Sequence, residues 1–223
     1  GELTETTSTT TTTTTTNFYP TTGDGYIYKY NTSWDTAHDA TSGNYSTATA
    51  TNAMVGTYKS TSAYFLARAF LPFDTSDLPD DATITGATLK TYVYSKKNQD
   101  NDGDDWVTVV QGSQPSTSML AKTDYDLAGS VNNPTEGIDT NERKDITRVT
   151  TNAYLSFSLN STGLGWVSKT DATKLALREG HDVIDSAFTS SSTTASQYNT
   201  LYIRSSEYTG TSYDPYLAVT YTQ

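Results

Sequence analysis

Along most of this chain, apolar and polar positions alternate in short runs separated by turn residues, the pattern of half-buried antiparallel strands. In "AYLSFSL", Ala153, Leu155, Phe157 and Leu159 alternate with Tyr154, Ser156 and Ser158. "ITGATLKTYVYSK" puts Ala87, Leu89 and Val93 on one face and Lys90, Tyr92 and Tyr94 on the other. "YFLARAFLPFD" is different: Phe65, Ala67, Ala69, Leu71 and Phe73 share one face, and Tyr64, Leu66, Arg68 and Phe70 make the opposite face apolar as well. A central strand covered on both sides is expected there. With "GYIYKY", "WVTVV", "TKLALRE", "NTLYIRSSE" and "DPYLAVTYT" the chain offers about eight strands, and "STGLGWVSK" predicts one short helix. The expected fold is all-β, a two-sheet antiparallel jelly-roll sandwich over residues 17–223.

Residues 1–16 stand outside that pattern. "GELTETTSTTTTTTTT" has no alternation to bury, yet threonine is β-branched and favours extended backbone. From Leu3 to Thr16 such a segment reaches about 45 Å, far enough to leave its own domain. Its backbone can then complete the ladder of an exposed strand edge on a neighbour. Leu3 and the run Thr9, Thr10, Thr11, Thr12, Thr13, Thr14, Thr15 and Thr16 are therefore the expected subunit contacts. A head-to-tail contact of this kind does not close, so copies of the chain would form a filament.

Charge and composition narrow the partners. The formal net charge of -11 and pI near 4.4 come with no stripe of Lys or Arg, which excludes nucleic acid and an anionic membrane surface. No run approaches the roughly 18 apolar residues of a membrane span. The absence of cysteine removes thiol catalysis, disulfides and Cys-based metal sites together. Without an initiating Met, Gly1 is expected to be the end left by signal-peptide removal, which puts the mature chain outside the cell or on its surface. Three N-x-S/T sequons, at Asn31, Asn44 and Asn160, and the threonine run are expected glycan attachment sites.

Two loops carry candidate chemistry. "NQDNDGDDW" holds Asp100, Asp102, Asp104 and Asp105, alternating carboxylates that suit calcium, with Gly103 for a sharp turn. It is not an EF-hand, because the sixth position from Asp100 is Asp105 and the twelfth is Gln111. "REGHDVIDSAF" brings His181, Asp182 and Asp185 together after a core strand, while His38 has no patterned partner. No nucleophile elbow, phosphate loop or zinc signature occurs, so no enzymatic activity and no cofactor other than calcium are expected. Trp34, Trp106 and Trp166 are open to sugar stacking or to the core, and the core is the commoner use of such residues.

The segments "RAFLPFDTSDLPDDATITGATLKTYVY", with its strand, FDTS-x-LP turn and second strand, and the closing "SSEYTGTSYDPYLAVTYT" resemble the DNRLRE-type β-sandwich modules of secreted and cell-surface proteins. The helix-then-strand segment "FSLNSTGLGWVSKTDATKLALREGHD" fits the same modules, so the resemblance runs over residues 18–222. It implies a jelly roll that serves as a structural brick or a carbohydrate-binding unit. The leading expectation is a structural subunit of an extracellular filament that polymerises through its N-terminal segment. The alternatives are a carbohydrate-binding or adhesion module and a viral tail or decoration protein.

Overall fold

A computed structural model describes residues 10–188 and 196–223. Twelve strands occur among them: β1 (Thr13–Phe18), β2 (Gly25–Asn31), β3 (Tyr45–Thr47), β4 (Asn52–Lys59), β5 (Tyr64–Asp74), β6 (Thr83–Asn98), β7 (Trp106–Gln111), β8 (Lys144–Asp145), β9 (Ala153–Ser158), β10 (Ala172–Glu179), β11 (Gln197–Arg204) and β12 (Tyr216–Thr222). Three short α-helices, α1 (Trp34–His38), α2 (Ser161–Leu164) and α3 (Gly180–Ile184), and two 3-10 turns, Lys122–Leu127 and Thr140–Glu142, punctuate them. No helix among the described residues is long and apolar enough to cross a membrane.

The all-β expectation holds. Every strand pairing is antiparallel, and the strands join along one curled, hydrogen-bonded path, β1-β12-β6-β11-β4-β5-β10-β7-β8, rather than falling into two separate ladders. Two long strands make the curl. Val93 of β6 pairs with Ala153 of β9 and Ile203 of β11, and Leu89 pairs with Phe157 of β9 and Leu217 of β12. A residue has only two ladder edges, so β11 and β12 share one edge of β6, one at each end, opposite β9. Ala67 and Ala69 of β5 show the same arrangement, with β4 and β10 sharing the edge opposite β2. Register shifts at Tyr202/Ile203 and Thr220/Tyr221 mark irregularities of the kind that bend a sheet.

The expected double coverage of β5 is present. Ala69, Leu71 and Phe73 belong to the main core with Leu89, Val93, Phe157, Leu201 and Val219, whereas Leu66 and Phe70 belong to a second core with Ile27, Trp34 and Val110. Leu78 of the FDTS-x-LP turn is buried, and Thr75 Oγ1 reaches Ser168 O at 2.7 Å and Thr173 Oγ1 at 2.7 Å, so the turn is tied to the approach of β10. The helix in "STGLGWVSK" is limited to its first turn: Asn160 caps it by accepting from Gly163 N at 3.0 Å, and Trp166 beyond it packs on Gly137, where a Cβ would lie 2.3 Å from the ring.

Four strands lie outside the eight expected from alternation. β4 is hidden by Gly56, whose φ of 142° breaks the period of two and whose missing Cβ lets the Asn199 carbonyl approach. β3 and β8 are only three and two residues long. β1 is polar, and it runs through the boundary expected between residues 16 and 17.

Candidate functional site

The threonine strand sits on the edge of its own domain. Residues Thr13–Phe18 pair with Thr222–Leu217 of β12, and Thr12 and Gln223 extend the ladder by exchanging both backbone bonds, at 2.9 and 3.1 Å. That reciprocal pair fixes the phase: Thr14, Thr16 and Phe18 bond to β12, while the N–H groups of Thr13, Thr15 and Asn17 face the open edge. Thr15 Oγ1 and Thr220 Oγ1 meet at 2.8 Å across a non-bonded pair. Only Phe18 is buried, with Thr16 half-buried and the rest exposed. Of the expected contacts, Leu3 and Thr9 lie outside the described residues, Thr10 and Thr11 precede the ladder, and Thr12 to Thr16 form it.

The acidic loop does not gather its four carboxylates on one point. Asp105 accepts from Thr147 Oγ1 at 2.9 Å and from Asn98 Nδ2 at 2.6 Å, and Asp104 donates its N–H back to Asp102 Oδ1 at 3.0 Å. Asp100 and Asp102 instead face His181, on the first turn of α3. Its Nε2 lies 3.2 Å from Asp102 Oδ2 and 3.9 Å from Asp100 Oδ2. The loop can reach α3 because position 180 is glycine: a Cβ there would stand 2.0 Å from Asp104 O. His181 Nδ1 is 2.8 Å from Glu179 Oε1, and Glu179 Oε2 accepts from Thr57 Oγ1 at 2.8 Å. Burial pushes the Glu179 carboxyl up to about 7 against the bond from His181. Burial works against a charge on His181, but the bond and charge of Glu179, then Asp102, outweigh it and lift the imidazole to about 9. Asp100 is raised by burial and then by the charge of Asp102, with His181 opposing.

His181 and its chain neighbour Asp182 serve different clusters. Asp182 is a fully enclosed carboxylate gripped by two guanidiniums: Arg68 donates from Nε (2.9 Å) and Nη2 (2.7 Å), and Arg178 donates from Nε (2.7 Å) and Nη2 (2.9 Å). Burial alone would raise the Asp182 carboxyl, but Arg178 and Arg68 hold it well below the usual carboxylate range. The remaining arginine N–H groups donate to the carbonyls of Tyr125, His38, Ala128, Ser130 and Val131, so one ionic knot pins α1, α3 and the loop after β7 to the sheet. His38 Nδ1 pairs with Asp39 at 2.7 Å and lies 3.4 Å from Asp185, which also accepts from Trp34 Nε1 at 2.8 Å. Alternation could flag Arg68 as a charge inside an apolar face. Nothing in the sequence joins it to Asp182, 114 residues away.

The tryptophans are not displayed. Trp34 and Trp106 are buried and Trp166 is packed against the main core. The surface aromatics are tyrosines. Tyr28 and Tyr30 of β2, Tyr45 of β3, Tyr58 of β4, Phe65 of β5 and Tyr198 of β11 line up with neighbouring ring centroids 4.0–6.4 Å apart. Tyr30 and Tyr45 are 45% and 41% exposed. Among the sequons, Asn31 and Asn44 act as acceptors for Ser33 N and Tyr30 N, whereas Asn160 both caps α2 and donates to Glu136 O, which engages its amide in the fold. No family model matches this chain, and the search of curated proteins finds no similar protein.

Proposed function

We propose that the chain is a structural subunit of an extracellular assembly, joined to its neighbours by exchange of the threonine-rich N-terminal strand onto the β12 edge. The observation that carries this reading is the way β1 is held, by ladder bonds along an exposed face and a single buried anchor, Phe18. Every copy presents the same β12 edge, so a strand that closes its own edge makes the same bonds on a neighbour. Effective concentration and the path through residues 19–24 then decide between the two. The two-sheet jelly roll and the likeness to DNRLRE-type modules belong to this proposal; the all-antiparallel sheet and the FDTS-x-LP turn anchored by buried Phe73, Thr75 and Leu78 support them.

The chain has no cysteine, so Thr15→Cys with Thr220→Cys gives a clean test, the two positions being directly opposed. Oxidation under assembly conditions should yield a ladder of covalent oligomers on a non-reducing gel. An internally bridged monomer at every concentration, with filaments still visible by microscopy, rules out exchange of this strand. A second reading, adhesion or carbohydrate binding, is favoured by the tyrosine surface around Tyr28 and Tyr45. It requires retention on a polysaccharide panel that Tyr28→Ala and Tyr45→Ala each weaken.

A further inference from the structure

We propose that Asp100, Asp102 and His181 form a binding site for a first-row divalent transition metal of the zinc class. The inference is independent of strand exchange. Three ligand atoms, one from each residue, lie within 4.8 Å of one another. Two features separate this cluster from an ordinary acidic loop.

The first is an unanswered acceptor. Asp100 is 9% exposed, and its Oδ2 is inaccessible with no hydrogen-bond partner among the described residues. A buried carboxylate oxygen without a donor is costly. An ion pair between a protonated His181 and Asp102 accounts for Asp102 Oδ2 at 3.2 Å but leaves Asp100 Oδ2, at 3.9 Å, beyond hydrogen-bond reach. A dication between the three groups answers both oxygens.

The second is the way the imidazole is prepared. Nδ1 is bonded to the fully buried Glu179, which is itself held by Thr57, and the ring stacks on Phe188 with centroids 4.6 Å apart. A carboxylate behind the far nitrogen fixes the tautomer and raises the basicity of the near one, the usual support of a metal-bound histidine. Nε2 is thereby aimed at the two aspartates. Binding displaces the Nε2 proton to solvent while the Nδ1 proton stays with Glu179.

The donor set selects the metal. One imidazole nitrogen with two carboxylates suits zinc and its neighbours, with water completing the shell. Calcium takes six to eight oxygens, and Asp105, which would have to contribute one, is engaged by Asn98 and Thr147.

The test uses the full chain stripped with chelator, then titrated with ZnCl2, CoCl2 or CaCl2. Zinc at about a hundredfold excess over its Kd should raise the melting temperature by roughly 5–10 °C. Cobalt should give a visible absorption band. The chain has only two histidines, so nitrogen-detected NMR of the imidazoles reads the site directly: zinc should shift His181 Nε2 and leave His38 in place. Asp102→Asn should abolish the shift, and Glu179→Gln should weaken affinity about 10–100-fold. Unchanged imidazole signals in the wild-type protein overturn the site, as does zinc binding that survives Asp102→Asn undiminished or stabilisation by calcium alone.

Discussion

Asp182 ties two buried guanidiniums together in the interior. It is the shared counter-charge for Arg68 and Arg178, three ionised side chains with at most 1% exposure each. Removing one partner from such a group leaves buried charge uncompensated. Asp182→Asn should therefore cost on the order of 3–5 kcal/mol in denaturant unfolding, and a loss below about 1 kcal/mol, the range of an exposed pair, would show that water reaches the knot. Asp24 makes the opposite kind of site. It is fully buried, accepts from Ser206 N at 2.9 Å and from the Ser206 hydroxyl, and burial lifts its carboxyl to about 7. Between a pH of about 4, where the unfolded chain loses this proton, and about 7, the folded state keeps it. Asp24 therefore makes stability fall as pH rises through that window and adds no further slope above it. Comparing Asp24→Asn with wild type by unfolding at a series of pH values should show that slope removed; identical slopes would mean the carboxyl is already ionised in the fold.

At the scale of elements, β1 and β4 are the informative strands. The phase of the β1 ladder means that proline has opposite effects at adjacent threonines. Thr14→Pro and Thr16→Pro remove donors to β12 and should release the strand, seen as loss of amide protection from Thr12 to Phe18 in hydrogen exchange. Thr13→Pro and Thr15→Pro remove N–H groups that face the open edge, so they should leave that protection largely intact while blocking any further strand from adding to β1. Equal loss at both pairs would mean the register is wrong. β4 depends on Gly56, where φ is 142° and a Cβ would come 2.1 Å from Asn199 O. Gly56→Ala should cost about 2 kcal/mol or more and separate β4 from β11, measurable as a lower denaturation midpoint.

For the whole molecule, the dominant long-range term is charge. Each copy carries -11, so approach of two copies is opposed by repulsion that salt screens from a range of about 30 Å at 0.01 M to about 8 Å at 0.15 M. If exchange of β1 joins copies, its rate by light scattering should rise steeply between those ionic strengths; a rate that falls with salt would point to a charge-paired contact instead. Among the described residues the other edge strands are β3 and β8, only three and two residues long, which is how natural sheets blunt their edges, and β9, which at six residues equals β1; β12, at seven residues, is the edge that β1 covers.

Alternation alone determined the all-β class, the faces of β6 and β9, and the double coverage of β5, because a period of two reports burial residue by residue and needs no partner to be known. It also singled out the acidic loop and "REGHD", since unusual side chains are visible wherever they fall. The tertiary structure decided everything that rests on pairing at a distance. His181 and Asp182 are adjacent in the chain, yet the turn of α3 sends one to Asp102, 79 residues away, and the other to Arg68, 114 residues away. Sequence spacing carries no trace of either contact. The same holds for β1: threonine's preference for extended backbone was legible, but any exposed edge satisfies that preference equally. Only the curl that brings the outer edge of β12 beside Thr13–Phe18 selects the edge, through backbone bonds that are indifferent to side-chain identity.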